Sequence, residues 1–252
     1  MIDGQSEAGF DSLKIMEWWA SNVTRKVKLT MRSDLSKYCS VLFTQSLAAG
    51  FVIIALCSSS SFAQSKTIID EWASVQAPKP PELKPVKIDD PKTTAYLVLD
   101  IVKQTCNNER RPRCVTSVPK IQGFLKQARA RGLAVIYSKT SSTTPADIIE
   151  DVAPIEGEPM VSAAAEKFYK TDLEKILQEK GIKTVIVVGT AAHGAVLFTG
   201  TEAAKRGFKV IVPVDGMSAE NTYIEQYTAW HLVNNPSYAA QVTLTKFDTI
   251  NF

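Results

Sequence analysis

Asp100 closes the apolar run Leu97-Val98-Leu99 and is followed at once by Ile101 and Val102. A carboxylate in such a place must be paired, hydrogen-bonded or neutralised, because burying it alone is costly. It reads either as a structural cap on the next segment or as an acid/base group tuned by its surroundings. A second run with chemical potential is Gly189-Thr190-Ala191-Ala192-His193-Gly194-Ala195. Small residues where a strand gives way to a helix leave backbone N–H groups open to an anion or a developing oxyanion. Gly194 and Ala195 are the candidates for that contact; the other reading is a tight turn whose small residues serve packing alone. Glu166 and Lys167 form a third group of charged residues, just ahead of the run 171–181. The bland reading of Lys167 is a solvated lysine.

The loop after Asp100 is basic. Arg110, Arg111 and Arg113 could draw in an anion such as a carboxylate, with Arg110 taken as the substrate contact. Cys106 and Cys114 bracket those arginines. In an oxidising compartment such a pair reads as a local disulfide, the alternative being two unlinked thiols. No third or fourth ligand stands at metal spacing beside them, so no metal is expected. His193 stands at a helix start, where a plain residue with no special role is the default reading. His231, in Tyr-Thr-Ala-Trp-His-Leu with Tyr227 four residues earlier, reads as core or subunit contact.

These residues need a scaffold, and the patterning supplies one. Residues 94–102, 133–138, 184–189 and 208–215 are short apolar runs rich in β-formers, as strands covered on both faces should be. Helical spacing with caps or stops marks 117–132, 171–181, 192–206 and 218–233, and 241–250 offers a final strand. This alternation predicts βαβ units and a doubly wound, parallel α/β sheet. Ligands bind such sheets beyond the carboxyl ends of the strands, which selects Asp100, Ser138 and Gly189 onward. The glycines do not fall at dinucleotide-binding spacing, so no nicotinamide cofactor is expected.

The N-terminus has a different character. Residues 38–57 are apolar, Arg32 and Lys37 precede them, and Ser61-Phe62-Ala63 follows. These are the parts of a secretory signal with cleavage after Ala63, which predicts a periplasmic or secreted protein with no stable membrane insertion. The competing reading is an uncleaved anchor. Residues 1–63 are thus an extension and signal peptide, with Met31 a candidate start. Residues 64–92 contain a proline-rich arm or linker, and 93–252 make the folded domain. The formal charge of +3 gives no footprint for nucleic acid.

The segments LVLDIV, KFYKTDLEKIL and GIKTVIVVGTAAHGAVLFTGTEAAKRGFKVIVPVDGMSA, in that order and spacing, resemble the isochorismatase-like hydrolases. The resemblance covers roughly residues 93–233. It implies a Rossmann-like three-layer α/β/α sandwich, a small-molecule substrate, no cofactor and a homo-oligomer. Amidase members of that family use an Asp, a Lys and a nucleophilic Cys. Asp100 matches the first; the Cys falls at Ala195, and counting back from Phe168 places the Lys near Ser162, so Lys167 is displaced. Members that cleave a vinyl ether lack the Cys and carry an Ala-His pair, which Ala192-His193-Gly194-Ala195 resembles. The expectation is hydrolysis of a small anionic molecule by acid/base chemistry centred on Asp100, with Lys167 or His193 supporting charge and Glu166 as a substrate contact, without a cysteine nucleophile or metal. The rival expectation is a non-catalytic binding or assembly protein on the same scaffold.

Overall fold

The computed structural model describes residues 66–252. The proposed signal sequence, with Cys39 and Cys57, lies outside them. Glu71–Phe252 forms one compact unit, which carries every candidate residue named above.

Its strands are β1 (Val86–Lys87), β2 (Thr94–Leu99), β3 (Ala134–Lys139), β4 (Met160–Ser162), β5 (Thr184–Thr190), β6 (Lys209–Pro213), β7 (Met217–Ser218), β8 (Val242–Thr245) and β9 (Ile250–Asn251). Its helices are α1 (Pro112–Ala130), α2 (Leu173–Glu179), α3 (Leu197–Lys205) and α4 (Thr222–Asn234). The main sheet runs β4-β3-β2-β5-β6-β8, with β7 paired to the end of β5, and every pairing is parallel.

Alternation along the central strands explains the layering. Ala95, Leu97 and Leu99 of β2, with Val185 and Val187 of β5, face a core shared with α2, α3 and α4. Tyr96 and Val98, with Ile186 and Val188, face the other way, into a core built on Val118, Ile121, Phe124 and Leu125 of α1. A strand buried on both faces has to be apolar at successive positions, and β2 is buried at all six. The α/β, mainly parallel sandwich expected from the sequence is the observed fold.

Several boundaries differ from the reading of the sequence. The first strand stops at Leu99, because Asp100 turns into the left-handed region at φ +54°. The first helix begins at Pro112, not Ser117. Proline suits a first helical turn, and the Ser117 hydroxyl instead donates to the Cys114 carbonyl inside the helix. The helix after β5 opens with a π turn over Ala192–Val196 before α3. The proline-rich arm docks against the fold: the Lys84 amide donates to the Leu244 carbonyl, and β1 pairs in parallel with β9.

Cys106 and Cys114 are joined in a disulfide, and both residues are buried. The bond closes a short loop between the end of β2 and the first turn of α1. Loop-closure entropy for so few residues amounts to about 2–3 kcal/mol. Cys106→Ser/Cys114→Ser should therefore lower unfolding stability by about that amount, read from urea midpoints under non-reducing conditions.

Candidate functional site

Register brings the candidate residues to one edge. Leu99 of β2 is opposite Ser138 of β3 and Gly189 of β5, and Gly189 is in turn opposite Met217 of β7. The next row, at the carboxyl ends, therefore holds Asp100, Thr190 and Ser218. Gly189 adopts φ +138°, and a Cβ there would lie 2.8 Å from both the carbonyl carbon and the Cβ of Leu99. Glycine lets β5 approach β2 closely at the position just before Asp100.

Asp100 is held from all sides. Its amide donates to the Ser138 carbonyl at 3.1 Å, and its own carbonyl accepts from Thr105 Oγ1 at 2.8 Å. The side chain is buried. Oδ1 accepts from Ser138 Oγ at 2.8 Å, and Oδ2 accepts from Lys167 Nζ at 2.8 Å. Lys167 is buried as well, and its ammonium also donates to the carbonyls of Ala163, at 3.1 Å, and Ala164. Burial raises the Asp100 carboxyl above its usual range, while Lys167, Ser138 and Arg111 pull it back down. Burial likewise lowers the Lys167 ammonium, with the Asp100 carboxylate opposing the drop. Both shifts favour the neutral forms: Asp100 holds a proton, and Lys167 releases one, more readily than ordinary Asp or Lys side chains do.

Lys167 reaches Asp100 because the chain folds back between β4 and α2. Glu166 fixes that turn: its Oε1 accepts the Phe168 amide at 2.6 Å and its Oε2 the Tyr169 amide at 2.5 Å. Its carboxylate is thus engaged with backbone and presents its neighbour. Ser162, where the resemblance places a lysine, accepts from Lys139 Nζ at 2.9 Å. Ser138 and Lys139 both stand at the carboxyl end of β3, where the sheet rule places ligand contacts.

The π turn contributes less backbone than its sequence suggests. The Gly194 amide already donates to the Ala191 carbonyl at 3.0 Å, and Ala195 is buried in the core. A Cβ on Gly194 would sit 3.9 Å from the Cβ of Ala165, so this turn packs toward the segment that carries Lys167. His193 is exposed. His231 lies beside Tyr227 on α4, with the hydroxyl 3.5 Å from Nδ1.

The basic loop divides in two. Arg110 is exposed, and its guanidinium donates to the Gln104 carbonyl. Arg111 is the buried one: its Nε and Nη2 both lie 2.7 Å from Oε1 of Glu220, just beyond β7. Arg113 is paired with Glu225 through two nitrogen–oxygen contacts. Neighbouring arginines look alike in sequence; the Asn107 side chain separates these two by accepting the Arg110 amide while its carbonyl takes that of Arg111.

A doubly wound parallel sheet whose carboxyl edge buries an Asp–Lys pair defines a Rossmann-like α/β domain. The chain belongs to the isochorismatase family: the Isochorismatase domain matches residues 94–246. It is 31% identical over 112 residues to the secreted isochorismatase effector Isc1 of Verticillium dahliae, covering 40% of this chain and 59% of that one. It is 27% identical over 151 residues to N-carbamoylsarcosine amidase of an Arthrobacter species, covering 49% and 57%. The chain thus spans under two thirds of the length of these curated relatives. Among solved structures, an isochorismatase from Pseudomonas putida superposes with a TM-score of 0.57 at 19% identity, covering 67% of this chain and 94% of that one.

Proposed function

We propose that this protein is a hydrolase acting on a small anionic molecule through acid/base chemistry centred on Asp100, without a cysteine nucleophile. The observation that carries the reading is the buried contact between Lys167 Nζ and Asp100 Oδ2 at 2.8 Å. A lysine displaced in sequence still reaches the aspartate. At the position the resemblance assigns to a nucleophilic cysteine stands Ala195, and Cys106 and Cys114 are bonded to each other.

For a vinyl ether the balance is simple. Protonated Asp100 gives its proton to the alkene carbon, and the Lys167 ammonium stabilises the carboxylate that is left. Water adds to the resulting oxocarbenium ion and loses a proton, and the hemiketal breaks down to a ketone and an alcohol. For an amide, the same pair would activate water and protonate the departing nitrogen. The secreted relative and the disulfide support a periplasmic or secreted location. Exposed Tyr223, Tyr227 and Trp230 on α4, with Phe198 on α3, support assembly into a homo-oligomer.

A panel of isochorismate, simple vinyl ethers and N-carbamoylsarcosine tests the reading. Asp100→Asn should lower kcat/KM for whichever compound is turned over by about 10²–10⁴-fold. Unchanged turnover in the variant would sink the mechanism. One observation favours the second reading, a non-catalytic binding or assembly protein: every N–H of the Lys167 ammonium already has an acceptor within the protein. Saturable binding of panel compounds without turnover is its expected result.

A further inference from the structure

The Arg111–Glu220 pair joins two segments that leave the carboxyl edge of the sheet. Arg111 lies within the disulfide loop that follows Asp100, and Glu220 lies two residues past Ser218 of β7. The two strands flank β5, so the pair reaches across the row that contains Asp100, Thr190 and Ser218. Its halves are unequal. The Arg111 side chain is 9% exposed, whereas that of Glu220 is 39% exposed. The loop fixes the guanidinium, while the carboxylate has open access to solvent.

The geometry of the contact is also incomplete. Nε and Nη2 of Arg111 converge on one oxygen, Oε1, instead of each meeting its own. A guanidinium edge binds a carboxylate best through two parallel N–H···O contacts. The Arg111 guanidinium helps hold the Asp100 carboxyl down against the effect of burial. The pair therefore borders the groups assigned to the reaction.

We propose that Arg111 is the receptor for a substrate carboxylate and that Glu220 is a built-in competitor which the incoming carboxylate displaces. The inference rests on the hydrolase reading for its location and names the recognised chemistry: an organic acid that brings two oxygens to the Nε/Nη2 edge. Glu220, swung outward, then keeps its charge in water, and the loop need not move. A neutral analogue has no charge with which to displace Glu220 and leaves the pair closed, so only the acid binds against the competing carboxylate.

Binding of N-carbamoylsarcosine and of its neutral carboxamide, titrated calorimetrically into the whole protein, tests this. The quantity of interest is the ratio of the two affinities. Glu220→Gln removes the competing charge and should raise the ratio in favour of the acid by about tenfold. Arg111→Gln should bring it near unity. Arg111→Lys keeps the charge but loses the planar fork, so it should fall between wild type and Arg111→Gln; it also serves if Arg111→Gln fails to fold. A ratio unchanged or lowered in Glu220→Gln overturns the proposal and makes the pair a structural tie. Failure of wild type and Glu220→Gln to bind either probe overturns it equally. The Asp100→Asn turnover assay is read separately, so loss of the hydrolase reading would not be mistaken for loss of anion selectivity at Arg111.

Discussion

Lys167→Met should lower the free energy of unfolding by about 3–5 kcal/mol, since it leaves the Asp100 carboxyl buried without its ammonium partner. Asp100→Asn strands the ammonium instead and should cost a comparable amount. The double variant should recover much of the loss, because no uncompensated charge is left; a double-mutant cycle from urea unfolding measures the coupling. The two single variants should also tilt oppositely with pH. In Lys167→Met the Asp100 pKa, already raised by burial, loses the ammonium that pulled it down. A carboxyl raised in the folded state contributes stability below its ordinary value of 3.8, and that contribution is lost as pH climbs through the folded-state pKa. The Lys167→Met deficit should therefore widen from acid toward neutral pH. An ammonium lowered in the folded state contributes stability above 10.5 and loses it as pH falls through the folded-state pKa. The Asp100→Asn deficit should widen in that opposite direction. Flat, parallel pH profiles for both variants would show that the contact is not an ion pair in solution.

The second large effect belongs to Gly189→Ala. The backbone at φ +138° disfavours any side chain, and the added methyl meets the main chain of Leu99, which cannot step aside without unpairing β2 from β5. Strain and overlap together should cost at least about 3 kcal/mol, or a melting-temperature drop of about 10 °C. Gly200→Ala on α3 is the control. A Cβ there would meet Leu232 and Val210 at 3.6 and 3.8 Å, ordinary packing distances, so alanine should be neutral or slightly stabilising. Equal melting temperatures for the two variants would show that β5 does not need glycine at this crossing.

How far the sequence discloses this arrangement depends on whether the signal is periodic. β2 and β5 are legible because both faces are covered, which forces apolar residues at successive positions. β4 is not, since a three-residue edge strand leaves too short a pattern. The turn at Asp100 is hidden for another reason: a left-handed aspartate is set by tertiary contacts with Ser138 and Thr105, not by its neighbours in sequence. The approach of Lys167 depends on a non-repeating turn that Glu166 ties down, so counting back along the family pattern leads to Ser162 instead. Arg110 and Arg111 differ only in how the disulfide loop directs them, information that spacing does not carry.

The pairing of β1 with β9 has a temporal consequence. β1 is made before any strand of the main sheet, yet its partner, β9, follows all of them. While the polypeptide is being synthesised, β2 through β8 can find their neighbours as they emerge, but the segment around Val86 must wait with its amides unpaired. Closing so long a loop is among the slow entropic steps of folding. The parallel seam at Val86 and Ile250 is therefore a late contact, absent from any nascent chain that has not yet reached Ile250.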